Sequence, residues 1–169
     1  MRALAITASV AAALGAGAVA SSAQSGRPDA AVDPALAAEC ARALPAPADG
    51  TPATGVKFDG IAGESVVEQF RIGAATPGGH RPLVLGKPFD KATPQLLARL
   101  VSGAHIPTLT LSQPKLKYTL TDVKVVDVEH TGRVAANSDR ICVTYAQGVM
   151  EFVPSNPDGS TGAPVKTQF

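Results

Sequence analysis

Apolar and polar positions alternate in three different ways along this chain. Ala3 to Ala20 is a run of apolar and small residues in which no charge occurs, and Arg2 is the only charged residue before Arg27. Residues 24–55 mix alanine, proline, glycine and polar residues without a strand period. From Val56 onward the pattern becomes strand-like. Val56 to Ile61 ends at the turn pair Asp59-Gly60, and Val66 to Ile72 and Pro82 to Phe89 flank the turn-forming Thr76-Pro77-Gly78-Gly79. In His105 to Leu111, Ile106, Thr108 and Thr110 alternate with Pro107, Leu109 and Leu111. Leu116, Tyr118 and Leu120 keep period two, after which the apolar set changes phase to Val123, Val125, Val126 and Val128. That slip predicts a bulge or bend near Asp122. Ile141 to Val153 is the last strand, with a break in its alternation near Gln147-Gly148.

Two helices interrupt the strands. Asp33-Pro34 is an N-cap followed by proline at the first helical position, and Pro45 would stop the helix near residues 34–44. Leu36, Cys40 and Leu44 then share one face. The second helix has Thr93 as its cap, Pro94 in its first turn, Gly103 at its end and an apolar stripe of Leu96, Leu97, Leu100 and Val101. Six or more strands and one short helix in about 100 residues predict a β-sandwich or small barrel with the helix on its flank. Phe58, Phe70, Leu120, Ile141, Val143 and Tyr145 are expected to fill the sheet core, and Leu96, Leu97 and Leu100 to bury the helix. Cys142 alternates with Ile141 and Val143, so it faces away from that core.

Composition divides the chain at the same place. Of 169 residues 45% are apolar, but 30 of those are alanine and 19 of the 30 lie in the first 50 positions. All five phenylalanines and both tyrosines follow Lys57. The first 23 residues are an export signal: an apolar run ending in the small-x-small patterns Ala18-Val19-Ala20 and Ser21-Ser22-Ala23. A retained anchor is the other reading, since the run approaches the length of a membrane span. No later stretch is long and apolar enough to cross a bilayer, so no membrane contact is expected after cleavage. Export makes the two cysteines a candidate disulfide, Cys40–Cys142; a reduced pair with residues 24–55 as a plain leader is the alternative. The formal charge of +1 offers no large basic surface, which argues against nucleic acid.

Candidate chemistry is sparse. Gly63-Glu64-Ser65-Val66-Val67 begins like a nucleophile elbow but has valine where the second glycine must stand. His80, His105 and His130 lack partners at metal-ligand spacing and are read as surface or loop histidines. Asp127 and Glu129 share a strand face that His130 does not, which argues against a triad. No catalytic, metal or cofactor site is expected.

Several motifs are familiar in their order and spacing. Phe58-Asp59-Gly60-Ile61-Ala62-Gly63-Glu64-Ser65 resembles the opening strand and turn of the Hcp (haemolysin-coregulated protein) family, the tube subunit of type VI secretion systems. Asp90-Lys91-Ala92-Thr93-Pro94-Gln95-Leu96-Leu97 resembles that family's helix start. Gly103-Ala104-His105-Ile106, then Leu120-Thr121-Asp122-Val123, then Ile141 to Pro154 with Asp158-Gly159-Ser160 follow in the family's order. The resemblance spans about residues 56–162 and leaves 163–169 as a tail. Its motif residues here are Asp59, Gly60, Gly63, Glu64, Ser65, Asp90, Lys91, Ala92, Pro94, Leu97 and Asp122. It implies a mainly β fold, a barrel or sandwich of two packed sheets with one lateral helix. It also implies a structural, non-catalytic role: subunits that form hexameric rings, stack into a tube and carry secreted effectors. An exported monomeric β-domain used for adhesion or binding is the alternative.

Overall fold

The computed structural model describes residues 33–46, 54–75, 79–132 and 137–169. The expected signal segment, residues 1–23, lies outside them. A short helix, α1 (Pro34–Ala41), precedes strands β1 (Thr54–Phe58), β2 (Glu64–Val67), β3 (Gln69–Ala75) and β4 (Gly79–Pro88). Helix α2 (Thr93–Ser102) follows, then β5 (Ile106–Gln113), β6 (Leu116–Gly132), β7 (Asn137–Thr144), β8 (Gln147–Phe152) and β9 (Val165–Gln168).

Every strand pair is antiparallel. Hydrogen-bonded neighbours run β2-β1-β5-β6-β7-β4-β3. The two ends of this path, β2 and β3, are consecutive in the chain and separated only by Glu68, whose N–H donates to Gly86 O at 2.9 Å. The path therefore closes into a barrel of two sheets, with β2/β3 crossing between them on one side and the long β6 on the other.

The predicted phase slip in β6 is a real bend. Asp122 takes φ 53, the left-handed region that non-glycine residues seldom occupy and that Asn and Asp tolerate best. Up to Thr121 β6 pairs with both β5 and β8, Val123 still pairs with Ile106 of β5, and from Lys124 onward β6 pairs with β7. Opposite, β7 and β8 form one continuing strand broken at Tyr145-Ala146, where Ala146 N–H donates to Thr121 O at 3.0 Å. The same bend alters β5. Strict alternation predicts Ile106 on the face opposite Leu109 and Leu111, but all three are fully buried in one core. The register is continuous from Ile106↔Val123 to Thr108↔Thr121, so Pro107 stands opposite Asp122 at the bend, and the buried face of β5 changes there.

The core holds Val56, Phe58, Leu83, Leu85, Leu96, Ile106, Leu109, Leu111, Leu120, Ile141 and Val143, all essentially inaccessible to solvent. Each such side chain contributes about 1.5–3 kcal/mol of transfer free energy before chain entropy is counted. Phe70 packs at the edge of this core and Tyr145 within it. Strands β4 and β7 are buried on both faces: Leu83, Leu85, Ile141 and Val143 point inward, while Val84 and Cys142 lie under α1 beside Cys40.

Cys40 and Cys142 are disulfide-bonded, with Cα atoms 5.6 Å apart, although they lie 102 positions apart in sequence. Leu36 and Leu44 pack on the same cluster. The helix ends at Ala41, short of the expected residue 44, and Leu44 reaches its position from the segment beyond. Two arginines add donors to the carbonyls of the helix end, where Arg42 N–H already closes back on Glu39 O at 3.4 Å, and a third binds the Glu39 carboxylate. Arg71 of β3 donates to the carbonyls of Glu39, Arg42 and Ala43, and Arg140 of β7 donates to Ala41 O at 3.2 Å. Arg81 of β4 meets the Glu39 carboxylate at 3.4 Å. This strap was not foreseeable from the segment's own pattern, because its partners come from three distant strands.

Two helix expectations are corrected. Ala92, not Thr93, is the N-cap of α2, and no side chain caps there directly. Leu97 and Val101 are not buried: they are 48% and 77% exposed, whereas Leu96 is inaccessible and Leu100 half-buried. A ten-residue helix lying along a barrel presents a narrow contact face, and Leu96 with Leu100, four residues apart, occupy it. Finally, the segment 163–169, read as a tail, carries β9, which pairs with β8 and continues the first sheet.

Candidate functional site: a buried polar node where the motifs meet

The motif residues converge at the start of α2. Lys87, the penultimate residue of β4, is 0% exposed. Its ammonium donates to Asp90 Oδ1 at 2.7 Å, Pro88 O at 2.9 Å and Thr93 Oγ1 at 3.1 Å, and stands 3.2 Å from Asp139 Oδ2. Thr93 Oγ1 donates in turn to Asp139 Oδ2. The second oxygen of Asp139, a buried residue of β7, meets His130 Nδ1 at 2.8 Å. His130 is half exposed, and its ring packs edge-on against Phe89 at 5.0 Å. Isolated buried charges are costly, and the remedy is pairing with further hydrogen bonds to satisfy every donor and lone pair. This node meets that condition for Lys87 and Asp139 alike.

Asp90, rather than Thr93, supplies the carboxylate for the turn that leads into α2. Its Oδ1 accepts from Ala92 N–H at 2.9 Å, and its own N–H donates to Thr93 Oγ1 at 3.3 Å. Partial burial pushes its pKa up, but hydrogen bonds from Lys87, Ser65 and the Ala92 N–H, with the charge of Lys87, outweigh that and hold the carboxyl below its usual range. The folded state thus binds this proton less tightly than the unfolded chain. Its contribution to stability is complete above the ordinary carboxylate pKa of about 3.9 and is lost as pH falls through the lower folded value. Asp90→Asn should therefore be less stable at neutral pH. It should also show a shallower loss of urea midpoint than the wild type below about pH 4; parallel acid profiles would refute the role.

The first motif reaches the same place from the other side. Asp59 and Gly60 form the turn after β1, with Gly60 at φ 73 and Ile61 N–H donating to Phe58 O at 3.2 Å. Gly63 takes φ 94, a conformation that favours glycine, and the Lys91 side chain lies over it, with Cε 2.4 Å from where a Cβ would stand. Ser65 is buried and bonds Asp90. Ala62 N–H reaches Gln95 Oε1 at 3.5 Å. Ala92 is buried, Pro94 sits exposed in the first turn and Leu97 is exposed. Glu64 lies outside the node on β2, its side chain passing over Gly55, where any Cβ would collide with it. Asp122 also lies outside it: its carboxylate meets His105 Nδ1 at 2.5 Å at the bend of β6.

Sequence reasoning missed Lys87, His130 and Asp139. The signal for Lys87 was a lysine inside the otherwise apolar run Pro82 to Phe89; His130 and Asp139 are cross-strand neighbours only once β6 and β7 pair. Glu129, weighed beside His130, instead pairs with Arg140 at 2.9 Å. Among the described residues, no group of three or more His, Cys, Asp or Glu is placed to hold a metal ion. No helix among them is long and apolar enough to cross a membrane.

The fold is thus a closed antiparallel barrel in which the motif residues Ser65, Asp90 and Ala92 meet at the start of a lateral helix. The family model for type VI secretion system effectors of the Hcp type matches residues 67–152, half of the chain. The chain belongs to the Hcp family, and is a structural, tube-type protein of type VI secretion. Among solved structures it is similar to Hcp2 from Salmonella typhimurium at 26% identity and TM-score 0.61, covering 69% of this chain and 94% of that one. Hcp1 from Salmonella typhimurium matches at 24% identity and TM-score 0.60, covering 69% and 92%. A type VI secretion system effector from Yersinia pestis shares the fold at 19% identity and TM-score 0.61, covering 69% and 98%. No curated protein matches. Nearly the whole of each solved relative thus corresponds to about two thirds of this chain.

Proposed function

We propose that this chain is an exported Hcp subunit that forms hexameric rings, without catalytic activity, and that the rings stack into a tube able to carry secreted effectors. Residues 1–23 are removed as a signal peptide, residues 24–55 form a leader clamped by the disulfide, and the β domain from residue 56 is the ring-forming unit. The observation that carries this reading is the node. Ser65, Asp90 and Ala92, shared with the family, work with Lys87, Thr93 and Asp139 to hold the start of α2 against the barrel, which suits a rigid assembly module. Leu97 and Val101 on the outer side of α2, and Val66 on β2, are exposed apolar side chains available to neighbouring subunits. A ring needs heterologous contacts that close, so each subunit must offer two different surfaces. The disulfide and the export signal support a periplasmic or extracellular location.

Size-exclusion chromatography with light scattering on the oxidised chain from residue 24 should return six times the subunit mass. A persistent monomer at the highest soluble concentration would instead favour the exported binding domain.

A further inference from the structure

The C-terminal strand is held in a manner unlike the rest of the barrel. Among the described residues β9 pairs only with β8, from Val149↔Gln168 to Phe152↔Val165, and all four of its residues are exposed. Its one side-chain ion pair, Lys166 to Glu151 at 3.1 Å, involves a lysine side chain 63% exposed and so adds little. The anchor is Phe169. Its N–H donates to Gly148 O and its carbonyl accepts from Gly148 N–H, both at 2.9 Å. Its ring lies edge-to-face with Tyr145, Tyr118 and His80 at 6.2, 6.5 and 6.3 Å. Gly148 creates the seat, since a Cβ there would lie 2.6 Å from the ring. Without β9 the barrel path is still complete. The terminal segment thus sits as an extended peptide does on a sheet edge, with main-chain bonds along the edge and one side chain in a pocket.

We propose that the β8 edge and its aromatic seat are a receptor for the strand Val165–Gln168 and the Phe169 that follows it, filled by that segment of the same chain in a lone subunit and by that of a second copy when subunits meet. The slot recognises this chain's own sequence, so a second copy offers the same bonds, and exchange of an identical element changes few contacts. The tether permits it. Residues 153–164 separate β8 from β9 and are folded by a Ser155↔Thr161 bridge and by bonds from Asn156 N–H to Ser160 O and Gly162 N–H to Pro154 O; opened to full extension they span roughly 40 Å, enough to reach an adjoining subunit. This inference does not depend on ring formation, because the exchange is read between any two copies.

Val149 and Gln168 are direct cross-strand partners next to the hydrogen-bonded Gly148–Phe169 pair, which places them at the closer, non-hydrogen-bonded spacing suited to a disulfide. A chain carrying both Val149→Cys and Gln168→Cys should form the bond internally. Mixing the two single variants under oxidising conditions should give heterodimers in excess of either homodimer, and Phe169→Ala or Gly148→Ala in the mixture should abolish that excess. An internal bond without heterodimers overturns exchange between copies. No bond in either format overturns the slot itself. A heterodimer unaffected by Phe169→Ala and Gly148→Ala overturns the anchored recognition.

Discussion

Replacing Lys87 with methionine should destabilise the fold by about 3–5 kcal/mol, the cost of breaking a buried ion pair from one side. Methionine fills much of the same space, so the effect is electrostatic rather than a cavity. Asp139 would remain inaccessible to solvent with Thr93 and His130 as its only partners, and Asp90 would lose its 2.7 Å donor. The paired change Lys87→Met with Asp139→Leu should recover most of the loss, because replacing a buried ion pair whole by apolar residues is often neutral. Urea unfolding of the two single variants and the double variant measures this coupling. Simple additivity of the two single losses would mean that the residues do not act as a pair. Such destabilisation should also loosen α2, whose first turn the node holds.

The disulfide should matter on a similar scale. In the chain-entropy model a loop of about 100 residues gives up to ~4.7 kcal/mol, and native bridges more often deliver ~2–4. Cys40→Ala with Cys142→Ala should accordingly lower the Tm by on the order of 10 °C. The loss should exceed the entropic part, since the arginine bonds to the carbonyls of Glu39, Ala41, Arg42 and Ala43 depend on α1 staying in place. Trypsin should then cut after the exposed Arg42 before the barrel unfolds. A Tm within about 2 °C of the wild type, with α1 still protected, would show that the arginines hold the strap alone.

Much of the barrel could be read from local pattern because each strand's inner face is written at period two. Val56 and Phe58, or Ile141 and Val143, announce the side they bury whatever their neighbours are. The bend at Asp122 was visible for the same reason, as a change of phase. Leu97 and Val101 misled because an apolar stripe says what a helix can bury, and only the width of the opposing surface says how much it does. The tail misled for the opposite reason: Val165 to Gln168 have no buried face, and their strand exists only because β8 offers an open edge. The motif residues were recognisable, but their purpose was not. Ser65 and Asp90 lie 25 positions apart, and only β2 and the start of α2 meeting in space joins them.

By itself the sequence determined the composition boundary near Val56, the inward and outward faces of most strands, the bend of β6, the outward direction of Cys142 and the family motifs. These are local properties, set by side-chain period, turn chemistry and residue type. Tertiary structure alone decided that β2 and β3 close the barrel, that Arg71 and Arg140 hold the end of α1, and that Lys87, Asp139 and His130 form one node. It also decided that the chain's end folds back onto β8. Those features join residues far apart in sequence, and a buried charge or an unpaired edge shows what it needs only when its neighbours are in place.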